Sequence, residues 1–423
     1  MKSQRVVITG IGLACSLGHD LETVTQKLRI QSHGFCSLTE YSEFKGSKIS
    51  IGTQVPGFDT GSSYPEDWTC PNGNTLNKES LRALNPHCYY GTHTVNQALK
   101  NAHLCIADLG DETGLFTASA GSATKIRLNL NTLHERGVGR TSPLGIINSV
   151  VGTLSYNLSA IFSIKGAGCG FASACASSAH ALGFALDQIT LGRQQRMIVV
   201  GAEDGDLDSV LPFAAMHALT PSTNPDAASL PFDRRRKGFV GSGGAATLIL
   251  ESLESATARG APILAELLGW GQGSDGYKPA TPHPEGIGLR RAMTLALKEA
   301  ELMPSSIDHI NAHATGTLLG DIVEAKAIHS LFEGHPTLST ASTKSLTGHT
   351  LSMAGTLEIA LELLAQQAGF TPGTANLDEI DPECALIHLP KENQPVRSDI
   401  IMSNSSGFGG ANVSIIFKHW SAE

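Results

Sequence analysis

Charge is scarce in this 423-residue chain: Asp, Glu, Lys and Arg make up 16% of it, against roughly 25% in ordinary soluble domains. Basic residues are the scarcer sign, the net charge is −9 and no long Lys/Arg block occurs, which argues against a general nucleic-acid binder. No apolar run reaches membrane-spanning length, and the N-terminus lacks a charged segment followed by an apolar one, so no membrane span is expected. The eight cysteines (15, 36, 70, 88, 105, 169, 175 and 384) include no CxxC pair. In a chain of this length they read as reduced thiols of a cytoplasmic protein. Sixteen histidines are present, yet none forms HExxH or another local ligand spacing, so no metal is expected.

What the chain has in abundance is glycine, 45 residues. With so little charge, this predicts tight backbone packing, much buried surface and an oligomer. Strand and helix patterns alternate, the mark of α/β layers. Val6-Val7-Ile8-Thr9-Gly10 reads as a first buried strand, followed by a helix from about Asp20 to Leu28. Lys78 to Ala102 carries a helical period broken at Asn85-Pro86, and Met197 to Val200 and Ala246 to Glu251 read as buried strands. From Pro262 the order restarts with a strand (Ile263 to Leu268), a glycine-rich turn (Gly269 to Gly273), a helix (Leu289 to Leu302) and a strand (Ile307 to Asn311). The restart suggests two duplicated halves, 1–255 and 256–423.

Chemistry concentrates on Gly168-Cys169-Gly170-Phe171-Ala172-Ser173-Ala174-Cys175-Ala176. Ala179, Leu182, Leu186 and Ile189 then recur at helical steps, so Cys175 stands at the mouth of a helix lined by small side chains. Free amides and the positive dipole end favour a thiolate there; the competing reading is a buried structural cysteine. Two histidines on Gly/Thr-rich stretches lie in the second half, His313 in Asn311-Ala312-His313-Ala314-Thr315-Gly316-Thr317 and His349 in Lys344-Ser345-Leu346-Thr347-Gly348-His349. Ser406-Gly407-Phe408-Gly409-Gly410-Ala411-Asn412 adds a glycine loop near the C-terminus.

These motifs, in this order, resemble the β-ketoacyl-acyl carrier protein synthases along nearly the whole chain, closest in look to the bacterial type I/II elongating enzymes. The resemblance implies an α/β, thiolase-like layered αβαβα fold and a decarboxylative Claisen condensation. Cys175 would carry the acyl group as a thioester, and His313 and His349 would donate to the enolate oxygen formed as malonyl carrier protein loses CO2. The amides of Cys175 and Phe408 would hold the acyl oxyanion. Lys344 would organise the histidines, paired with Glu358, and Phe408 would gate the acyl channel. Thr315, Thr317, Phe408 and Gly409 would bind substrate. No cofactor would be tightly bound, since the phosphopantetheine arm arrives with the carrier protein.

The same resemblance implies an acyl carrier protein as partner and a homodimer, with a heterodimer as the alternative. Carrier proteins of this kind are acidic, so Lys78 and Arg82, four apart on one helical face, are candidate docking residues. Arg127, Arg136 and Arg140 could add to them, with Arg234 to Lys237 next in line. Departures from the family pattern are Ala314 for Gly, Ala411 for Thr, and Lys237 for an acid in Phe232-Asp233-Arg234-Arg235-Arg236-Lys237-Gly238-Phe239. None removes a catalytic atom, and together they leave a specialised lipid or polyketide substrate open. A non-catalytic chain-length partner subunit is the rival reading, and it would usually lack the nucleophile that this chain has.

Overall fold

The computed structural model describes residues 4–71, 73, 76–335 and 337–420. Twelve strands are defined among them: β1 (Val6–Ala14), β2 (Phe35–Ser37), β3 (Ile51–Thr53), β4 (Thr113–Ala118), β5 (Gly168–Phe171), β6 (Arg196–Glu203), β7 (Gly244–Ser252), β8 (Ala265–Ser274), β9 (His309–Asn311), β10 (Ser339–Ala341), β11 (Ile400–Gly407) and β12 (Ala411–His419). Ten of them form one sheet in the order β10-β9-β11-β12-β8-β1-β7-β6-β4-β5, while β2 and β3 pair separately. From the central β8–β1 seam outward, both sides repeat one pattern: an antiparallel neighbour (β12, β7), then β11 or β6, then parallel strands.

Two helices occupy the space between the two sides of the sheet. Ser177–Thr190 and Ala354–Gln367 pack on each other and on strands of both sides. That position explains their composition: 13 of the 14 residues in Ala354–Gln367 are buried, so apolar side chains run all round rather than along one stripe. The outer faces are covered by Pro86–Asn101 against β1, β7 and β6, and by Ile287–Glu299 against β8 and β12. The result is five layers, helix, sheet, helix, sheet, helix.

The predicted break at Asn85-Pro86 is real. Asn85 accepts from Cys88 N with its side chain and Pro86 opens the Pro86–Asn101 helix, an N-cap with proline at the first position. The predicted turn Gly269 to Gly273 is a correction, because these glycines lie inside β8. A β-carbon on Gly271 would sit 2.2 Å from Ala292 O, and one on Gly273 2.3 Å from Gly288 O. Glycine marks close helix-on-strand approach here, and a lone sequence cannot tell that from a turn.

Candidate active site

Strand β5 leads through a tight bend into the Ser177–Thr190 helix, and Cys175 lies two residues before it. Ala174 holds φ 51°, the left-handed region that L-residues avoid, a strain of order 1–3 kcal/mol that surrounding structure must hold. Ser177 does so from one side: its Oγ accepts from Ser173 N at 2.8 Å and donates to Ala174 O at 2.6 Å. Ser173 Oγ and His180 Nδ1 pair at 2.8 Å on the other. Gly407, the last residue of β11, closes over the bend. A β-carbon there would fall 2.6 Å from Ser173 O and 3.0 Å from Cys175 N, so the Phe408 and Cys175 segments meet backbone to backbone.

The expected thiolate is corrected by this environment. Burial pushes the Cys175 thiol up to about 12, and the nearby Lys344 charge offsets only part of it. Cys175 rests as a thiol, and its proton has to be moved during reaction. His349 Nε2 stands 3.0 Å from Cys175 Sγ.

His313 and His349 come from different elements but share the site, their rings 5.2 Å apart and nearly perpendicular. His313 follows β9, and its loop is hung on the carboxylate of Glu324, which accepts from His313 N at 2.9 Å and Ala314 N at 2.7 Å. Asp321 accepts from Gly316 N at 3.1 Å. His349 is pinned by its backbone to Val240 and Ser242, and its ring meets Phe239 edge-on at 5.1 Å. Behind both lies Lys344, 1% exposed and paired with Glu358. Burial first, and then the Lys344 charge, hold both imidazoles well below their ordinary range. They are neutral at working pH. Burial raises Glu324 and Glu358 to about 7.

A cavity of about 330 Å³ opens from these groups. Cys175, His313, His349, Thr315, Thr317, Phe408, Phe213, Met216 and Phe239 line it. Phe408 is 43% exposed, and its ring lies 6.0 Å from that of Phe213, both lining the cavity. Lys344 and Gly409 do not line it. Gly409 donates to Pro279 O at 2.6 Å with φ +80° and so shapes the loop.

Sequence reasoning missed the part played by Arg236, which is 1% exposed. Its guanidinium donates to Thr317 O at 3.1 Å, Leu318 O at 2.7 Å and Asp381 at 2.6 Å. Gly238 N donates to Gly316 O at 2.9 Å. The Phe232 to Phe239 stretch is therefore a clamp on the Thr315–Thr317 loop. Arg236 is thereby excluded as a docking cation. Phe213 and Met216 were also missed, because a short 3-10 segment carries no periodic signal.

The β-ketoacyl synthase family matches this chain in two parts, its N-terminal domain over residues 3–256 and its C-terminal domain over 264–378. The 3-oxoacyl-[acyl-carrier-protein] synthase 2 of Synechocystis is 33% identical, with 99% of each chain covered. The 3-oxoacyl-[acyl-carrier-protein] synthase 1 of Haemophilus influenzae is also 33% identical, again with 99% of each covered. The chain belongs to the β-ketoacyl synthase family. Among solved structures, a β-ketoacyl synthase from Burkholderia phymatum superposes with a TM-score of 0.88 at 30% identity, covering 99% of this chain and 100% of that one. A ketosynthase/chain length factor of the ishigamide system reaches 0.87 at 30%, with the same coverage. The layered architecture is accordingly thiolase-like.

Proposed function

We propose that this enzyme joins an acyl group held on Cys175 to a malonyl unit delivered by acyl carrier protein, releasing CO2 and a β-ketoacyl-carrier thioester. One observation carries the assignment of roles: His349 Nε2 at 3.0 Å from the Cys175 sulfur, with a second neutral imidazole beside it at the end of one cavity. In the first half-reaction Cys175 sulfur attacks the acyl thioester carbon. The thiol proton passes through His349 to the departing pantetheine sulfur, and an acyl-enzyme remains. In the second, the malonyl C–C bond breaks, CO2 leaves, and charge gathers on the thioester oxygen.

That oxygen accepts N–H from His313 and His349. Neutral rings suit this step, because a cationic imidazolium would lose its proton to the enolate it has to stabilise. The enolate carbon attacks the acyl-enzyme carbonyl, whose oxyanion accepts from the Cys175 and Phe408 amides. Collapse expels the Cys175 sulfur, which takes a proton from solvent by way of His349, so each cycle consumes one proton. Lys344, buried against Glu358, holds both rings neutral and in place. Thr315 and Thr317, hydroxyls 3.2 Å apart, would receive the pantetheine arm, and no further cofactor enters this scheme. Incubation with a panel of acyl carrier proteins followed by intact-protein mass spectrometry should add one acyl mass per chain, absent in Cys175→Ala. An adduct on the alanine variant removes Cys175 from the role.

The non-catalytic alternative has little support, since nucleophile and both histidines are present and assembled. We read the polypeptide as two halves, 1–255 and 256–423, with the nucleophile in the first and the histidines in the second. A homodimer is supported by β5, an edge strand whose Gly168, Cys169 and Gly170 are exposed, and by exposed Ile126, Leu130, Val138 and Ile146; unpaired edges and apolar patches invite a partner. Among the described residues no helix is long and apolar enough to cross a membrane. A cytoplasmic setting fits eight cysteines that are all unpaired.

A further inference from the structure

We propose that Cys175, His313 and His349 together form a binding site for a soft divalent cation, Zn2+ foremost, and that the bound metal reversibly shuts the nucleophile off. The three residues lie on separate elements and share no local ligand spacing. Even so, their donor atoms all lie within 4.8 Å of one another. Tetrahedral zinc, with Zn–S about 2.3 Å and Zn–N about 2.0–2.1 Å, keeps its ligand atoms roughly 3.3–3.6 Å apart. The Cys175–His349 pair at 3.0 Å is already that close. No separation is above 4.8 Å, so the widest exceeds the target by at most about 1.5 Å, a gap that side-chain rotations can close.

The chemistry of the donor set agrees with the geometry. Metal ligation needs ring nitrogens that reach one point, and the two imidazoles stand 5.2 Å apart, lining one cavity with Cys175. One thiolate and two imidazoles select zinc, cobalt or copper over magnesium or calcium. Three protein ligands leave a fourth position open to the cavity for water. Binding replaces the thiol proton: the Cys175 S–H bond breaks, a sulfur–metal bond forms, and H+ leaves to the buffer with no change of oxidation state. Among the charges that reach Cys175, those of Glu203 and Glu358 favour the added positive charge, while that of Lys344, paired with Glu358, opposes it. Nδ1 of each histidine has no partner. Structural zinc sites anchor that second nitrogen, so this site holds metal weakly enough to exchange.

Sulfur in the ligand set is directly visible with Co2+ as the probe. Titration of the full enzyme should give one Co2+ per chain, an intense thiolate-to-cobalt charge-transfer band in the near ultraviolet, and tetrahedral d–d bands in the visible. Zn2+ should displace it. Calorimetry with Zn2+ in buffers of different ionisation enthalpy should report about one proton released per metal at pH 7.5. Cys175→Ala should abolish the charge-transfer band, and His313→Ala should weaken binding at least about tenfold. Zn2+ should also protect Cys175 from iodoacetamide, with EDTA restoring alkylation. This second readout needs no variant to fold and no knowledge of the substrate. A Co2+ spectrum without sulfur charge transfer, a band that persists in Cys175→Ala, or undiminished alkylation under saturating Zn2+ would each overturn the site. All of these stand apart from the condensation assay, so failure here leaves the proposed activity untouched, and the reverse holds too.

Discussion

Two buried histidine clusters in this molecule carry opposite charge states, and the contrast shows how one side chain is set to two tasks. His87 is fully buried, with Nδ1 2.7 Å from Asp204 and Nε2 3.0 Å from Ser119 Oγ. Burial alone would strip its proton, but the Asp204 carboxylate wins and holds His87 well above the ordinary range. No carboxylate pairs with the ring of His313 or His349; burial and the Lys344 ammonium act on them instead, and they stay neutral. Ser119–His87–Asp204 has the connectivity of a hydrolytic triad, yet a His87 whose proton Asp204 holds well above the ordinary range is a poor base, and Ser119 is 2% exposed. It is an ion pair that ties the Pro86–Asn101 helix to the end of β6. The nearby charge, more than the histidine itself, separates brace from catalyst.

Breaking the brace should have the larger effect on folding. Asp204→Ala leaves the His87 cation buried without its counter-ion, which costs about 3–5 kcal/mol of stability. The melting temperature should fall, while the acyl-enzyme yield per folded molecule stays as it was. A loss of acylation without a loss of stability would move the first cluster into the catalytic machinery.

At the second cluster the balance is reversed. His313→Ala and His349→Ala should each cost about 2.7–4 kcal/mol in the condensation step, the scale of one lost oxyanion donor. Acylation of Cys175 should suffer less in His313→Ala, because only His349 touches the sulfur. Malonyl decarboxylation at the normal rate in either variant contradicts the enolate role.

Opposite charge states also predict opposite pH slopes of stability. The folded pKa of His87 is raised, so its contribution is complete below about pH 6.5, the unfolded value, and is lost as pH rises through the folded value. His313 and His349 are depressed in the fold. Below about pH 6.5 the unfolded chain takes up protons that the folded rings refuse, so stability falls by up to about 1.4 kcal/mol per pH unit for each ring. His313→Asn should remove one such increment from acid-side unfolding curves. An unchanged acid limb means that the ring is charged in the fold.

The smallest effect belongs to exposed charge, where solvent screens even a paired group. Arg82 pairs with Glu66 at 2.8 Å and is 65% exposed at its side chain, and Arg127 pairs with Asp208 at 2.7 Å. Lys78→Glu with Arg82→Glu should raise KM for acyl carrier protein and flatten its salt dependence. Turnover of a small pantetheine thioester should hardly change. Equal slowing of both substrates would make the patch structural.

Much of the fold was legible in the residue order because strands and helices announce themselves by local period and punctuation. Asn85-Pro86, the Val6 strand and the helix after Cys175 each stand where their side chains predict. The short Lys344–Thr347 turn, the glycines inside β8 and the Arg236 clamp were not legible, since each is defined by a neighbour distant along the chain. At the site, the sequence alone determined which reactive groups exist and that each lies at the end of a strand or helix. The tertiary structure decided their state. It placed His349 beside Cys175 across 174 positions, and it set a buried lysine where a carboxylate would have charged the rings. It also closed enough low-dielectric protein round the sulfur to keep it a thiol. Local spacing pointed to no metal, yet the fold brings one thiol and two imidazoles together. Field strength and ligand geometry both depend on distances in space, which spacing along the chain does not encode.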